Sequence, residues 1–164
     1  MKKIIALFTA ALLFGASVFA EGYINANDLT LGDITEDRAE EDGFVIHASA
    51  ERFVVIDKAD GQKYGDEVFT QRINLKGKAV GAYRTVSFPA KAGEKITVYC
   101  LSSSKTDARV VVVKNSAGET LKEITAAAAN PTVSVGEVVV SADGEYTVCG
   151  TNGGVYIYQI TVGK

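Results

Sequence analysis

Runs of six to nine residues rich in Val, Ile, Thr, Tyr and Phe recur through the chain, each closed by turn-forming residues. Such runs suit pleated, half-buried strands, and the turn residues between them reverse the chain. The runs at 43–48, 52–57, 68–75, 83–88, 95–101, 109–114, 132–140, 144–149 and 154–162 predict strands. Asp60-Gly61, Lys76-Gly77-Lys78, Ala92-Gly93, residues 115–118, Ala142-Asp143-Gly144 and Asn152-Gly153-Gly154 are the predicted reversals. Two segments have helix-tolerant composition. Residues 33–42 lack an apolar stripe, and the alanine-rich 125–130 is stopped by Pro131, so each is expected as a loop or one turn. The expectation is an all-β fold, an antiparallel sandwich of jelly-roll type with nine or ten strands.

Residues 1–20 read as an export signal. Lys2 and Lys3 begin it, residues 4–14 form its apolar centre, and Val18 and Ala20 place small side chains before the cut. The remainder, 21–164, is long enough for one core and is expected as a single domain, secreted or periplasmic. No later stretch reaches the roughly 18 to 20 apolar residues of a membrane helix, so membrane insertion is not expected.

The whole sequence carries a formal charge of −3. Without Lys2 and Lys3 it becomes −5, yet much of the acid sits early, in Asp28, Asp33, Glu36, Asp37, Glu40, Glu41 and Asp42. From residue 43 onward, 14 basic side chains face 12 acidic ones. No basic stripe of nucleic-acid-binding strength is present, whereas an anionic polymer needs only a local cluster of cations.

Catalytic machinery is not legible. His47, the only histidine, falls opposite the phase of Phe44, Ile46 and Ala48 and is expected to face solvent. A serine or cysteine triad therefore has no evident base, and Cys100, Cys149 and His47 lack zinc-site spacing. The chain is read as a non-enzyme without cofactor. Calcium on Asp28, Asp33, Asp37 or Asp42 is kept as an alternative to a solvated acidic loop. A Cys100–Cys149 bridge would close a loop of about 50 residues, for which chain entropy gives roughly 4 kcal/mol. Strand parity opposes it by sending one sulfur inward and the other outward, so bridge and separate thiols both stay open.

The run 68–75 alternates Phe69, Gln71, Ile73 and Leu75 with Thr70, Arg72, Asn74 and Lys76. The second set forms a polar, basic row suited either to sugar hydroxyls and carboxylates or to plain solvation. Arg84 and Arg109 share the phase of apolar neighbours and are expected at the sandwich rim. There they cap carbonyls, pair with an acid such as Asp107, or line a groove. Tyr64, Tyr83, Tyr99, Tyr156 and Tyr158 divide between core and sugar-stacking positions.

Residues 69–75 (FTQRINL), 83–88 (YRTVSF), 96–104 (ITVYCLSSS), Arg109, 144–146 (GEY) and 155–160 (VYIYQI) together resemble the noncatalytic β-sandwich modules of secreted bacterial pectate lyases, including pectin-binding carbohydrate-binding modules. The resemblance implies a sandwich that holds acidic plant polysaccharide, homogalacturonan above all, through lysine and arginine. On this chain Arg72, Lys76, Lys78, Tyr83, Arg84 and Lys105 are the expected ligand residues, with Lys63 a further candidate by type and position. Such modules usually ride on an enzyme, whereas no catalytic domain is expected within these 164 residues, and the chain carries two cysteines where small residues such as alanine are expected. The competing expectation is a structural or adhesive surface protein that binds a protein partner through the same sandwich.

Overall fold

A computed structural model describes residues 22–128 and 131–164; the signal expected at 1–20 lies outside them. Thirteen strands form among the described residues: β1 Gly22–Asn25, β2 Gly32–Ile34, β3 Arg38–Ala39, β4 Val45–His47, β5 Val54–Tyr64, β6 Glu67–Asn74, β7 Thr85–Ala90, β8 Lys95–Ser102, β9 Arg109–Lys114, β10 Thr120–Ala126, β11 Ser134–Val139, β12 Gly144–Gly150 and β13 Val155–Gly163. One sheet runs β11-β8-β13-β6-β5-β2 with β1 also on β13, and the other runs β10-β9-β12-β7-β4-β3. All strand pairs are antiparallel. From β6 onward nearly every connection crosses between the sheets, which is the jelly-roll character of the sandwich.

Period-2 alternation builds the core. Ile96, Val98 and Cys100 of β8 meet Val111 and Val113 of β9, Val86 and Phe88 of β7, and Ile157 and Ile160 of β13 between the sheets. The opposite side of β8 and β13 is also buried. Leu101 and Tyr158 join Phe69 and Val133 in a second apolar cluster, with Tyr99 and Tyr156 at its margin. Residues 131–133 close over it, since Lys63 donates its N–H to Pro131 O at 2.7 Å and Val133 donates to Lys63 O at 3.0 Å.

Four expectations change. The count rises from nine or ten strands to thirteen because β1, β2 and β3 are brief and β10 carries charges, and β2 and β3 occupy part of the acidic segment expected as a loop. Thr125 and Ala126 extend β10, while the end of the alanine run lies outside the described residues. Asp60-Gly61 does not reverse the chain. It lies within β5, where the register with β6 shifts between Lys58 and Gln62, and the reversal comes at Gly65-Asp66. Phe69 leaves the phase of Ile73 and Leu75, its ring resting against Tyr158 and Tyr99 with centroids at 5.3 and 5.9 Å.

Candidate functional site

The crossovers line up at one end of the sandwich. Taken across the sheets from the β2/β3 edge, they are 35–37, 48–53, 75–84, 151–154, 103–108 and, of the β10–β11 connection, the described residues 127–128 and 131–133. The three central ones, with Arg109 at the start of β9, carry Lys76, Lys78, Arg84, Lys105 and Arg109 against one acid, Asp107. Asp107 is occupied locally, its Oδ2 accepting from Ser104 Oγ at 3.0 Å and Thr106 Oγ1 at 3.1 Å. Among the described residues the ion pairs join Arg38 to Glu40, His47 to Asp37, Arg72 to Asp57 and Lys95 to Glu137. None involves a cation of the three central crossovers. A charge set of one sign without counter-charges is an electrostatic surface that attracts the opposite sign.

Local geometry explains the arrangement. Lys76 and Arg84 bracket the 75–84 crossover with φ of 58° and 61°, left-handed conformations uncommon for side chains of this size. A Cβ on Gly77 would run into Nη1 of Arg84, and one on Gly153 would run into Nη1 of Arg109, so each guanidinium lies against bare glycine backbone. Gly154 in turn leaves no room for a side chain against Ser103 Oγ and the Gly77 backbone. Ser103 Oγ donates to Gly154 O at 2.8 Å, which joins the 103–108 and 151–154 crossovers. Arg109 Nη1 donates to Asn152 O at 2.8 Å. The Nε atoms of both Arg84 and Arg109 are buried without a partner.

Of the residues expected to meet ligand, Lys76, Lys78, Tyr83, Arg84 and Lys105 come to this end. Tyr83 stays 41% exposed beside Val80, with which it exchanges main-chain hydrogen bonds. Arg72 sits apart. Its Nε donates to Asp57 Oδ1 at 2.5 Å and its guanidinium lies 3.8 Å from the centre of the Tyr156 ring. Asn74 donates to the same aspartate and is buried, so the polar row of β6 is largely engaged within the protein. Lys63 joins β5 to residues 131–133 through its main chain. Among the tyrosines, Tyr158 is wholly buried, and burial pushes its phenol pKa up. Tyr99 is half-buried against Phe69, Tyr156 lies beneath Arg72, and Tyr64 is exposed at the edge of Tyr99. Arg109 and Arg52 are the cations of this end that the resemblance did not single out as ligand residues.

His47 does not simply face solvent. Its Nδ1 meets Asp37 Oδ2 at 3.1 Å and its Nε2 meets Ser87 Oγ at 2.8 Å, which ties the 35–37 crossover to β7. Asp37 Oδ1 also accepts from Ala48 N, and the His47 hydrogen bond holds the Asp37 carboxyl below its usual range. His47 and Ser87 line a cavity of about 400 Å³ on the outer face of the second sheet, with Thr85, Lys114, Glu145 and Thr147. Acid, imidazole and hydroxyl follow one another as in a proton relay. β7, however, is paired on both sides, by β12 and β4, which commits its main-chain donors to the sheet rather than to an oxyanion.

The cysteines are free. Cys100 lies in the core between the sheets, while Cys149 on β12 lines the outer cavity, as their opposite phases require. Burial pushes the Cys100 thiol pKa up to about 12. Among the described residues no three acidic, histidine or cysteine side chains gather as metal ligands, so Asp28, Asp33, Asp37 and Asp42 do not form the calcium cluster kept as an alternative. Asp42 accepts instead from Tyr23 N. No described helix is long and apolar enough to cross a membrane.

No protein-family model matches the sequence, and no curated protein matches it. Solved structures with partial likeness include the C-terminal CBM6 of the marine laminarinase LamC from Zobellia galactanivorans, 18% identical with a TM-score of 0.39 over 88% of this chain and 100% of that one. The CBM22-1 xylan-binding domain of Paenibacillus barcinonensis Xyn10C is 9% identical, with a TM-score of 0.45 over 80% and 92% of the two chains. A carbohydrate-binding module of Cellvibrio mixtus lichenase 5A, solved with cellotriose, is 17% identical, with a TM-score of 0.39 over 87% and 96%. With TM-scores below 0.5, these likenesses assign no ligand to the chain.

Proposed function

We propose that this is an exported, noncatalytic carbohydrate-binding protein that holds acidic plant polysaccharide, pectin and its homogalacturonan backbone above all, on the cationic end of the sandwich. The observation that carries the reading is the set of five cations, Lys76, Lys78, Arg84 and Lys105 in the central crossovers and Arg109 at the start of β9, with no ion pair among the described residues. Lysine ammoniums draw in a polyanion over a distance, guanidiniums grip single carboxylates in a bidentate manner, and exposed Tyr83 offers a ring face to a pyranose. An export signal at 1–20, as read from the sequence, supports the reading by carrying such a protein to where plant polymers are met.

Affinity electrophoresis in gels containing polygalacturonate tests the reading. Migration is expected to slow at low salt and to recover as the screening length shrinks from about 10 Å at 0.1 M towards 3 Å at 1 M. Equal mobility with and without the polymer at low salt would refute it.

A further inference from the structure

We infer that Arg84 and Arg109 act as one carboxylate anchor, which grips a free uronate in a bidentate manner and rejects its methyl ester, with the surrounding lysines adding only long-range attraction to the polyanion. This rests on the proposed reading and deepens it.

The two arginines differ from others in the chain. Arg38 and Arg72 each have a carboxylate partner, Glu40 and Asp57, while Arg52 has none among the described residues but has no buried side-chain atom left unmet. Arg84 makes no side-chain hydrogen bond or ion pair among the described residues, and Arg109 makes one, to the neutral Asn152 carbonyl. Both are half-buried rather than free in solvent, and both have a buried Nε without a partner. A partly desolvated guanidinium without a counter-charge is unfavourable, and an arriving carboxylate relieves that state.

The backbone is arranged to hold them. Arg84 keeps a left-handed φ of 61°, and strain of this kind persists only where the surroundings impose it. Gly77 and Gly153 are the surfaces on which the two side chains lie, and a Cβ on Gly154, next to Gly153, would come within 3.3 Å of Gly77 N, so the two supports are neighbours. Pre-positioned forks of this kind match the two oxygens of a carboxylate. Methyl esterification removes the negative charge and one acceptor oxygen, and with them the charge-assisted pair.

The test measures binding of the full protein to polygalacturonate and to the same polymer after methyl esterification. The unmodified protein is expected to prefer the free acid. Arg84→Lys and Arg109→Lys keep the charge but lose the planar fork, and each is expected to weaken binding to the free acid by about tenfold, with smaller change toward the ester. In case a substitution disturbs the fold, the Nε–H resonances of Arg84 and Arg109 in the unmodified protein are followed by NMR. They are expected to shift with oligogalacturonate and to stay in place with its methyl ester. Binding of both lysine variants within about twofold of the unmodified protein, or shifts equal for acid and ester, would overturn the anchor while leaving polysaccharide binding intact. No binding of either polymer by the unmodified protein would overturn both.

Discussion

The Asp37–His47–Ser87 chain makes a local acid dependence. The His47 hydrogen bond is the main reason the Asp37 carboxyl sits below its usual range, against a desolvation that pushes it up. Ionised Asp37 therefore adds stability above the unfolded-chain value of roughly 3.9, and that stability is lost as pH falls through the lower folded value. His47→Ala is expected to return the Asp37 titration toward the ordinary range. Carbon NMR of the carboxyl checks this, and an unchanged midpoint would contradict it. The thiols supply a second residue-scale expectation. Because the thiolate is the reactive form and burial raises both pKa values, Cys100 should resist Ellman's reagent at pH 8 until urea unfolds the chain. A prompt reaction assigned to Cys100 in the folded protein would contradict its place in the core. The opposite outlook of the two cysteines was legible from strand parity alone. The partnerless state of Arg84 was not, because it depends on where acids from distant segments fail to arrive.

Among the elements, long alternating runs such as those of β8, β9 and β13 announce themselves, since each places several apolar residues on one side. β10 escaped because Lys122 and Glu123 interrupt its pattern, and β3 because two residues cannot show a period. Neither did the sequence betray that a single asparagine finishes β6. There Asn27 Oδ1 accepts from Thr70 N at 2.8 Å and Gln71 N at 3.1 Å, while its Nδ2 donates to Val68 O at 3.0 Å. The side chain serves β6 as a neighbouring strand would. Asn27→Ala should cost about 0.5–1.5 kcal/mol, since water reaches the main-chain groups it would release, whereas Asn27→Asp keeps the acceptor and should cost less. Urea denaturation of the two variants decides this, and equal losses would count against the account.

For the whole molecule, the order of strands decides which crossovers become neighbours. The lysines and arginines were readable as candidates one by one, but only the two sheet orders show that 75–84, 151–154 and 103–108 lie side by side while Arg72 remains on a sheet face. Although the full sequence has a net charge of −3 and Glu36, Asp37 and Glu51 flank the central patch at this end, that patch should behave as a cationic body. The folded protein is expected to be held on a cation exchanger at pH 7 and low salt, and Lys76→Glu with Lys105→Glu should release it. Undiminished retention of that double variant would place the charge elsewhere. The same two changes should leave the melting temperature almost unaltered, because exposed charges outside ion pairs contribute little to folding, the 5.8 Å approach of Lys76 Nζ to the Phe53 ring included. Since the cations ride on crossovers while the apolar alternation stays within strands, mutation can redraw what this surface attracts without endangering the scaffold that displays it.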